Sequence, residues 1–314
     1  MSLFDDALIE QTADDIQSAI GQKQKGLCTT YVRECAAFDQ GYSLWRTLLT
    51  HDPIEPGIVP RYDCGVNAIV ALGPRLVPHC VEFPDPLAVH QVLVPICDLG
   101  ANPTIKWSQY HGFKDNKVVA TRFLTRAQES LNRQTDGALV GLLARALGDN
   151  SSKLYPCVNV GEAIIGMTSL DHHADEVCIM HPQAYKAARD VDPAACRSIL
   201  LDDGSQEARI NKCRFLISTM VPKRSAILVP PAAELGYAPQ TGSAYYSIQV
   251  DWKKLRIGML GFAFRGVVLT HPEEVMAVYD KNVCAGSFEK FIRTADTPKE
   301  SDENSEDLDN WEGI

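Results

Sequence analysis

Between Val118 and Leu147 the chain places apolar residues at Phe123, Leu124, Ala127, Leu131, Ala138, Leu139, Leu142, Leu143, Ala146 and Leu147. Intervals of three, four and seven put these side chains on one face of an α-helix, so the spacing predicts a single helix over 118–147 with one buried face. Gly148 is its expected stop. At about 1.5 Å per residue, such a helix runs about 45 Å. That is longer than a compact domain of this size needs, so the helix must act as a brace. Gly137 and Gly141 leave room inside it for the close approach of a neighbouring backbone, at a cost in helix propensity.

The 314 residues are 45% apolar, enough for one large domain or two ordinary ones with a sizeable core. No run reaches the roughly 18 apolar residues that a membrane span requires. Met1–Asp6 is acidic and lacks the basic region of a secretory signal, so no membrane partner is expected. Ten cysteines are scattered between Cys28 and Cys284 without a C-x-x-C pair, which suits reduced, packed thiols in a cytosolic protein. The net charge is −10, and residues 296–314 carry −7 of it. The nearly neutral body argues against a surface that reads nucleic-acid sequence. The acidic tail, poor in apolar residues, reads as disordered and solubilising. Its functional alternative is a docking strip for a basic partner, with Leu308 and Trp311 as apolar anchors.

Along the rest of the chain, residues 2–20 read as an amphipathic helix capped by Ser2, with Phe4, Leu8, Ile16 and Ile20 on its stripe and a flexible link from Gly21 to Gly26. Residues 50–115 are dense in proline and predict extended segments and loops, among them a strand over 89–96. Trp107, Tyr110 and Phe113 follow in a polar run, as a contact surface or as anchors beneath a loop. A helix is expected over 160–169, a strand over 176–180 and a helix after Pro182. A turn is expected at 202–205. Residues 214–218 and 226–229 read as a hairpin joined through Val221–Arg224, and Gly236–Gly242 as a loop. Strands are expected over 245–250 and 255–269, where Ile257, Met259, Phe262, Phe264 and Val267 recur, and a strand or helical turn over 272–279.

Candidate chemistry is sparse. Asp171-His172-His173-Ala174-Asp175-Glu176 is the most enzyme-like cluster, but adjacent histidines share neither a helix face nor a strand face. A metal site there would need a distant third ligand. His181-Pro182 and His271-Pro272 each end a strand, and two such histidines supply an acid and a base in principle. The plainer reading is extended backbone before proline. Gly161 and Gly166 have the spacing of a phosphate loop without its Lys-Ser/Thr. No catalytic, cofactor-binding or metal-ligating residue is expected.

The order of elements resembles the major capsid proteins of tailed bacteriophages, with the α+β Hong Kong 97-type fold. The strings that carry it are the strand into Met180-His181-Pro182, the segment Cys213–Val229 with Ser218-Thr219-Met220-Val221-Pro222-Lys223, and the closing strands Leu255–Tyr279. The resemblance implies an N-terminal arm (1–60), an extended loop region (61–117), a spine helix and peripheral domain (118–194), an axial domain (195–244), a return to the peripheral domain (245–295) and the acidic tail (296–314). It implies self-assembly into hexamers and pentamers of an icosahedral shell enclosing double-stranded DNA without sequence-specific binding. The implied partners are a scaffold, a portal and a decoration protein, with assembly in the host cytoplasm and residence in the virion. Phe4, Leu8, Trp107, Tyr110 and Phe113 are the expected inter-subunit contacts. An encapsulin-like nanocompartment would use the same parts. A third reading is an enzyme using His172, His173, His181 or His271 with Asp171 or Glu176.

Overall fold

The computed structural model describes residues 4–24, 32–40, 42–64, 68–72, 75–76, 90–113, 115–169, 177–200, 206–230, 232–282 and 289–292. Helix α1 (Asp6–Gln24) precedes strand β1 (Val32–Glu34), a 3-10 turn (Ala36–Asp39) and helix α2 (Leu44–Leu48). Short strands then fill the proline-rich stretch: β2 (Thr50–Ile54), β3 (Arg61–Cys64), β4 (Ile69–Leu72), β5 (Arg75–Leu76), β6 (His90–Leu93), β7 (Cys97–Ala101) and β8 (Thr104–Lys106). Helix α3 (Trp107–His111) leads into the long helix α4 (Asn116–Asp149). Beyond it come β9 (Leu154–Cys157), α5 (Val160–Thr168), β10 (Val177–Met180), α6 (Pro182–Val191), β11 (Cys196–Leu200), β12 (Gln206–Ile210), β13 (Cys213–Ile217) and β14 (Ser225–Val229). The last elements are α7 (Ala232–Leu235), β15 (Gly236–Thr241), β16 (Tyr245–Asp251), β17 (Arg256–Arg265), β18 (Val267–Leu269), a 3-10 turn (Pro272–Glu274) and β19 (Met276–Asp280).

Helix α4 organises this order. Asp115 caps it by accepting from Lys117 N at 2.8 Å, and its 34 residues span about 51 Å. Its first half buries Val119, Ala120, Phe123, Leu124, Ala127 and Leu131 against α1 and the inner face of one sheet, ordered β1-β16-β17-β15-β18-β4-β5. Its second half buries Leu139, Leu142, Leu143, Ala146 and Leu147 against a core shared with a second sheet, ordered β11-β12-β13-β10-β14-β19-β9. That second sheet is covered on both faces. Ile179, Leu216, Ile227 and Ala277 join the α4 side, while Cys178, Phe215, Leu228 and Val278 pack with α5 and α6. A doubly covered strand has no polar face, which is why β14 reads as the unbroken run Ala226-Ile227-Leu228-Val229.

The pairing corrects several expectations. Strands β13 and β14 do not form a hairpin. Strand β10 lies between them, parallel to β13 and antiparallel to β14. The expected boundary at 194/195 therefore falls inside one sheet. Gly236–Thr241 is a strand and not a loop. Its glycine and proline are tolerated because a Cβ at Gly236 would sit 1.9 Å from Val268 O, and because Pro239 uses its carbonyl to accept from Gly266 N at 2.8 Å. The link expected from Gly21 is helical through Gln24, and α4 runs on through Gly148, whose missing Cβ makes room for Ile292. Gly137 faces the Met220 side chain at 3.7 Å, not a neighbouring backbone. The turn expected at 202–205 lies outside the described residues.

Candidate assembly surface

One face of the first sheet packs on α1 and α4; the other is covered by the β3–β6 ribbon at its β18–β4 end, where Tyr62, Val92 and Val94 pack with Val70 and Val268, and is open at its β1 end. Along β17, Ile257, Met259 and Ala263 point into the core shared with α4, and a Cβ at Gly261 would press on Ala127 and Phe38. The alternate residues Phe262 and Phe264 point the other way. With Tyr245 they form an aromatic cluster, Tyr245 and Phe262 stacking at 5.5 Å and Phe262 meeting Phe264 edge-on at 5.9 Å. Val32 of the edge strand β1, the Pro56–Val59 turn, Pro95 and Ile96 complete an open apolar groove of about 750 Å³. Val32, Ile58 and Val59 are 58%, 51% and 56% exposed. Gly57 lets the turn close, with φ +87°.

The sequence reading did not single out this groove. One signal was present. The recurrence at 257 and 259 and that at 262 and 264 have opposite parity, so a single strand cannot bury both pairs on one face.

Two of the expected contact residues, Phe4 and Leu8, belong to the docked N-terminal segment. Phe4 is 3% exposed, buried in its own subunit with Ile9, Ala13 and Ile16 under α4 and β16. Helix α1 is therefore docked, not loose. Its stripe is Phe4-Ile9-Ala13-Ile16, with Leu8 and Ile20 only partly buried at the margin. The dock is also polar. Thr12 Oγ1 donates to Tyr246 Oη at 3.2 Å, Tyr246 Oη donates to Asp15 at 3.1 Å, and Arg33 grips the same carboxylate with two hydrogen bonds of 3.0 and 2.9 Å.

Trp107, Tyr110 and Phe113 are anchors for the segment entering α4. Trp107 packs on Trp252 at 4.4 Å, Tyr110 Oη donates to Asn116 at 2.8 Å, and the Arg122 guanidinium lies 4.7 Å from the Phe113 ring centre. All three are partly buried against the core that holds Phe4. Leu308 and Trp311 lie outside the described residues.

A buried polar cluster joins the two halves of α4. Arg265 is 2% exposed, and its Nη2 lies 2.6 Å from Asp39 Oδ1. Its Nη1 donates to Asn132 and Thr135 of α4, and its guanidinium lies over the Trp45 ring at 4.6 Å. Burial pulls the arginine down from its ordinary range, and Asp39 opposes that. Gln128 ties the same helix face to Ala37 O and Gln40 O. Asp136 accepts from Trp45 N at 2.9 Å, and burial pushes its carboxyl up to about 7. The cluster explains the lapse in the apolar stripe between Leu131 and Ala138.

His181 and His271 make separate local contacts. His181 accepts from Gln183 N through Nδ1 at 3.1 Å and so caps α6, and burial lowers its pKa. His271 Nδ1 lies against Glu234 O at 2.6 Å, in another part of the chain. His172, His173, Asp171 and Glu176 lie outside the described residues. Among the described residues, no three metal-ligating side chains cluster and no helix is long and apolar enough to cross a membrane. Gly161 is a packing glycine, since its Cβ would lie 2.3 Å from Ala187 O. Burial drives the Cys35 thiol up to about 11, the state of an unreactive packed cysteine.

No protein-family model matches the sequence, and no curated protein matches it. Solved structures are similar at low identity. The virus-like particle from Pyrococcus furiosus is 14% identical over 84% of this chain and 98% of its own, with a TM-score of 0.44. The capsid of Cyanophage P-SCSP1u is 12% identical over 81% and 91%, with a TM-score of 0.45. The holo-SrpI encapsulin complex from Synechococcus elongatus PCC 7942 is 11% identical over 83% and 94%, with a TM-score of 0.43. The similar structures are overwhelmingly phage major capsid proteins of the Hong Kong 97 type, with encapsulin and virus-like particle structures among them.

Proposed function

We propose that this chain is a shell-forming structural subunit, and specifically the major capsid protein of a double-stranded DNA phage, assembling as hexamers and pentamers. The observation that carries the reading is the open apolar groove at the β1 end of the first sheet. Helix α4 covers its inner face, while its outer face ends at the edge strand β1 in a groove lined by Val32, Ile58, Val59, Phe262 and Phe264. Apolar surface beside a sheet edge is what a neighbouring subunit covers. Many such contacts, each weak, sum to a closed shell. The nearly neutral body suits a container that holds DNA without gripping it. Scaffold, portal and decoration proteins are the partners this reading implies, the virion is its residence, and host cytoplasm its site of assembly.

The test is electron microscopy of the purified chain at high concentration, alone and with candidate scaffold. Closed particles or sheets of hexagonal rings are expected. Particles that enclose host proteins in place of DNA would move the reading to a cellular nanocompartment. A uniform field of single subunits under every condition would end it.

A further inference from the structure

The inference rests on the shell-subunit reading and concerns how one copy meets the next. The β16–β17 hairpin ends in the turn Trp252–Leu255, where Lys253, Leu255 and Arg256 are exposed. Leu255 is 56% exposed and has φ +49°. A left-handed turn position ordinarily holds Gly or Asn, and an apolar side chain gains nothing in water. Leu255 accepts both disadvantages. The tip is also held firmly. Leu255 O accepts from Trp107 N at 2.7 Å, Lys254 N donates to Asp251 at 2.9 Å, and Trp252 packs on Trp107. It is a rigid apolar knob among three exposed bases, Lys253, Lys254 and Arg256.

The groove lies at the other end of the same hairpin. The ladder runs from Asp251↔Arg256 at the tip to Tyr245↔Phe262 at the groove, six residues along β16 and about 20 Å. Three exposed acids border it. Asp98 pairs with Phe264 and shares its face, Glu55 precedes Pro56, and Glu34 accepts from Ser243 beside Gly242. Arg33 nearby is engaged with Asp15, and the nearest other base along the rim loop is Arg61, two residues past Val59. Knob and groove are thus complementary in shape class and in charge. At opposite ends of one rigid hairpin, they cannot meet within one copy.

We infer that the Leu255 knob of one copy seats in the groove of the next, with Lys253 and Arg256 meeting Glu34, Glu55 and Asp98. The contact is head to tail. Each copy offers one knob and receives another, so repetition builds a ring or an open chain. The charges steer and orient the encounter, while Leu255 supplies the apolar anchor.

Replacing Leu255 with photoreactive p-benzoylphenylalanine in the full chain tests the contact directly. Irradiation under conditions that give particles, followed by peptide mapping, should yield crosslinks between copies to Pro56–Val59 or Phe262–Phe264. Particles whose crosslinks map elsewhere, or that carry none from position 255, would overturn the contact and leave the shell reading intact. A chain that stays monomeric throughout would overturn both. In a second arm, the pair Lys253→Glu and Arg256→Glu should cut assembly about tenfold at fixed concentration and raise its salt sensitivity. Adding Glu55→Lys and Asp98→Lys to the same chain should restore it. Failure of that rescue, with the circular dichroism spectrum unchanged, counts against the contact.

Discussion

Arg265 Nη2 and Asp39 Oδ1 lie 2.6 Å apart, with the arginine side chain 1% exposed. This ion pair ties the end of β17 to the turn ahead of α2 beneath the middle of α4. Taking two charges out of water is costly, and the cost is offset only while both remain and their hydrogen bonds are made. Asp39→Ala should therefore destabilise the subunit by about 3 kcal/mol, because it strands a buried guanidinium. Asp39→Leu combined with Arg265→Met should recover most of that loss. Urea unfolding of the two variants and the parent checks both statements.

Asp136 should make stability depend on pH. Burial raises its folded carboxyl from an ordinary value near 3.8 to about 7, while the Trp45 and Leu44 amides and the Arg265 charge pull the other way. A carboxyl whose folded pKa lies above its unfolded one binds more protons folded than unfolded. Its contribution is thus unpenalised below about 3.8, grows unfavourable as pH rises from there, and is fully unfavourable above about 7. Asp136→Asn keeps an acceptor for Trp45 N and removes the titration. The variant should gain stability over the parent between pH 4 and pH 7, by a few kcal/mol at most. Parallel profiles across that window would refute the assignment.

Two glycines at phosphate-loop spacing should behave in opposite ways. Gly161→Ala forces a methyl onto the Ala187 carbonyl and should part α5 from α6, costing about 2 kcal/mol or more. Gly166 has nothing within 4 Å of a Cβ, so Gly166→Ala should be neutral or stabilising by about 0.5–1 kcal/mol through helix propensity. Thermal melts of the two variants decide it.

His181 acts as a helix cap, not as a proton carrier. His181→Ala should cost about 1 kcal/mol, while His181→Asn should cost far less because its oxygen can accept from Gln183 N. Burial lowers the histidine's pKa, so its contribution is present above the unfolded pKa near 6.5 and fades as pH falls. Equal losses for the two substitutions would argue against capping.

Local periodicity made much of the fold legible. Helix α4 was readable because one face repeats every three or four residues for most of its length. The strand into His181-Pro182, the helix it starts and the strands β16 and β17 were readable for the same kind of reason, though not their pairing or the break before β18. The pairing of β10 between β13 and β14 was not, because parallel and antiparallel neighbours leave the same apolar run in a doubly covered strand. Nor was β15, where Gly236 and Pro239 carry the signature of a loop until Val268 and Gly266 are placed beside them.

The candidate surface divides in the same way. The exposed aromatic content of the chain was visible, but Trp107, Tyr110 and Phe113 anchor their own segment, while Phe262 and Phe264 line the groove. Which aromatics remain for a neighbour depends on which face α4 covers, and that is set by contacts more than a hundred residues apart in sequence. By itself the sequence determined a long brace helix, its flanking strands, a nearly neutral body and a charged tail, since each depends on nearest neighbours and composition. Only the tertiary structure decided that α1 is docked on its own subunit, that Arg265 is buried against Asp39, and that the β1 end of one sheet face is left open. Those outcomes follow from burial and pairing between distant segments, which local periodicity does not encode.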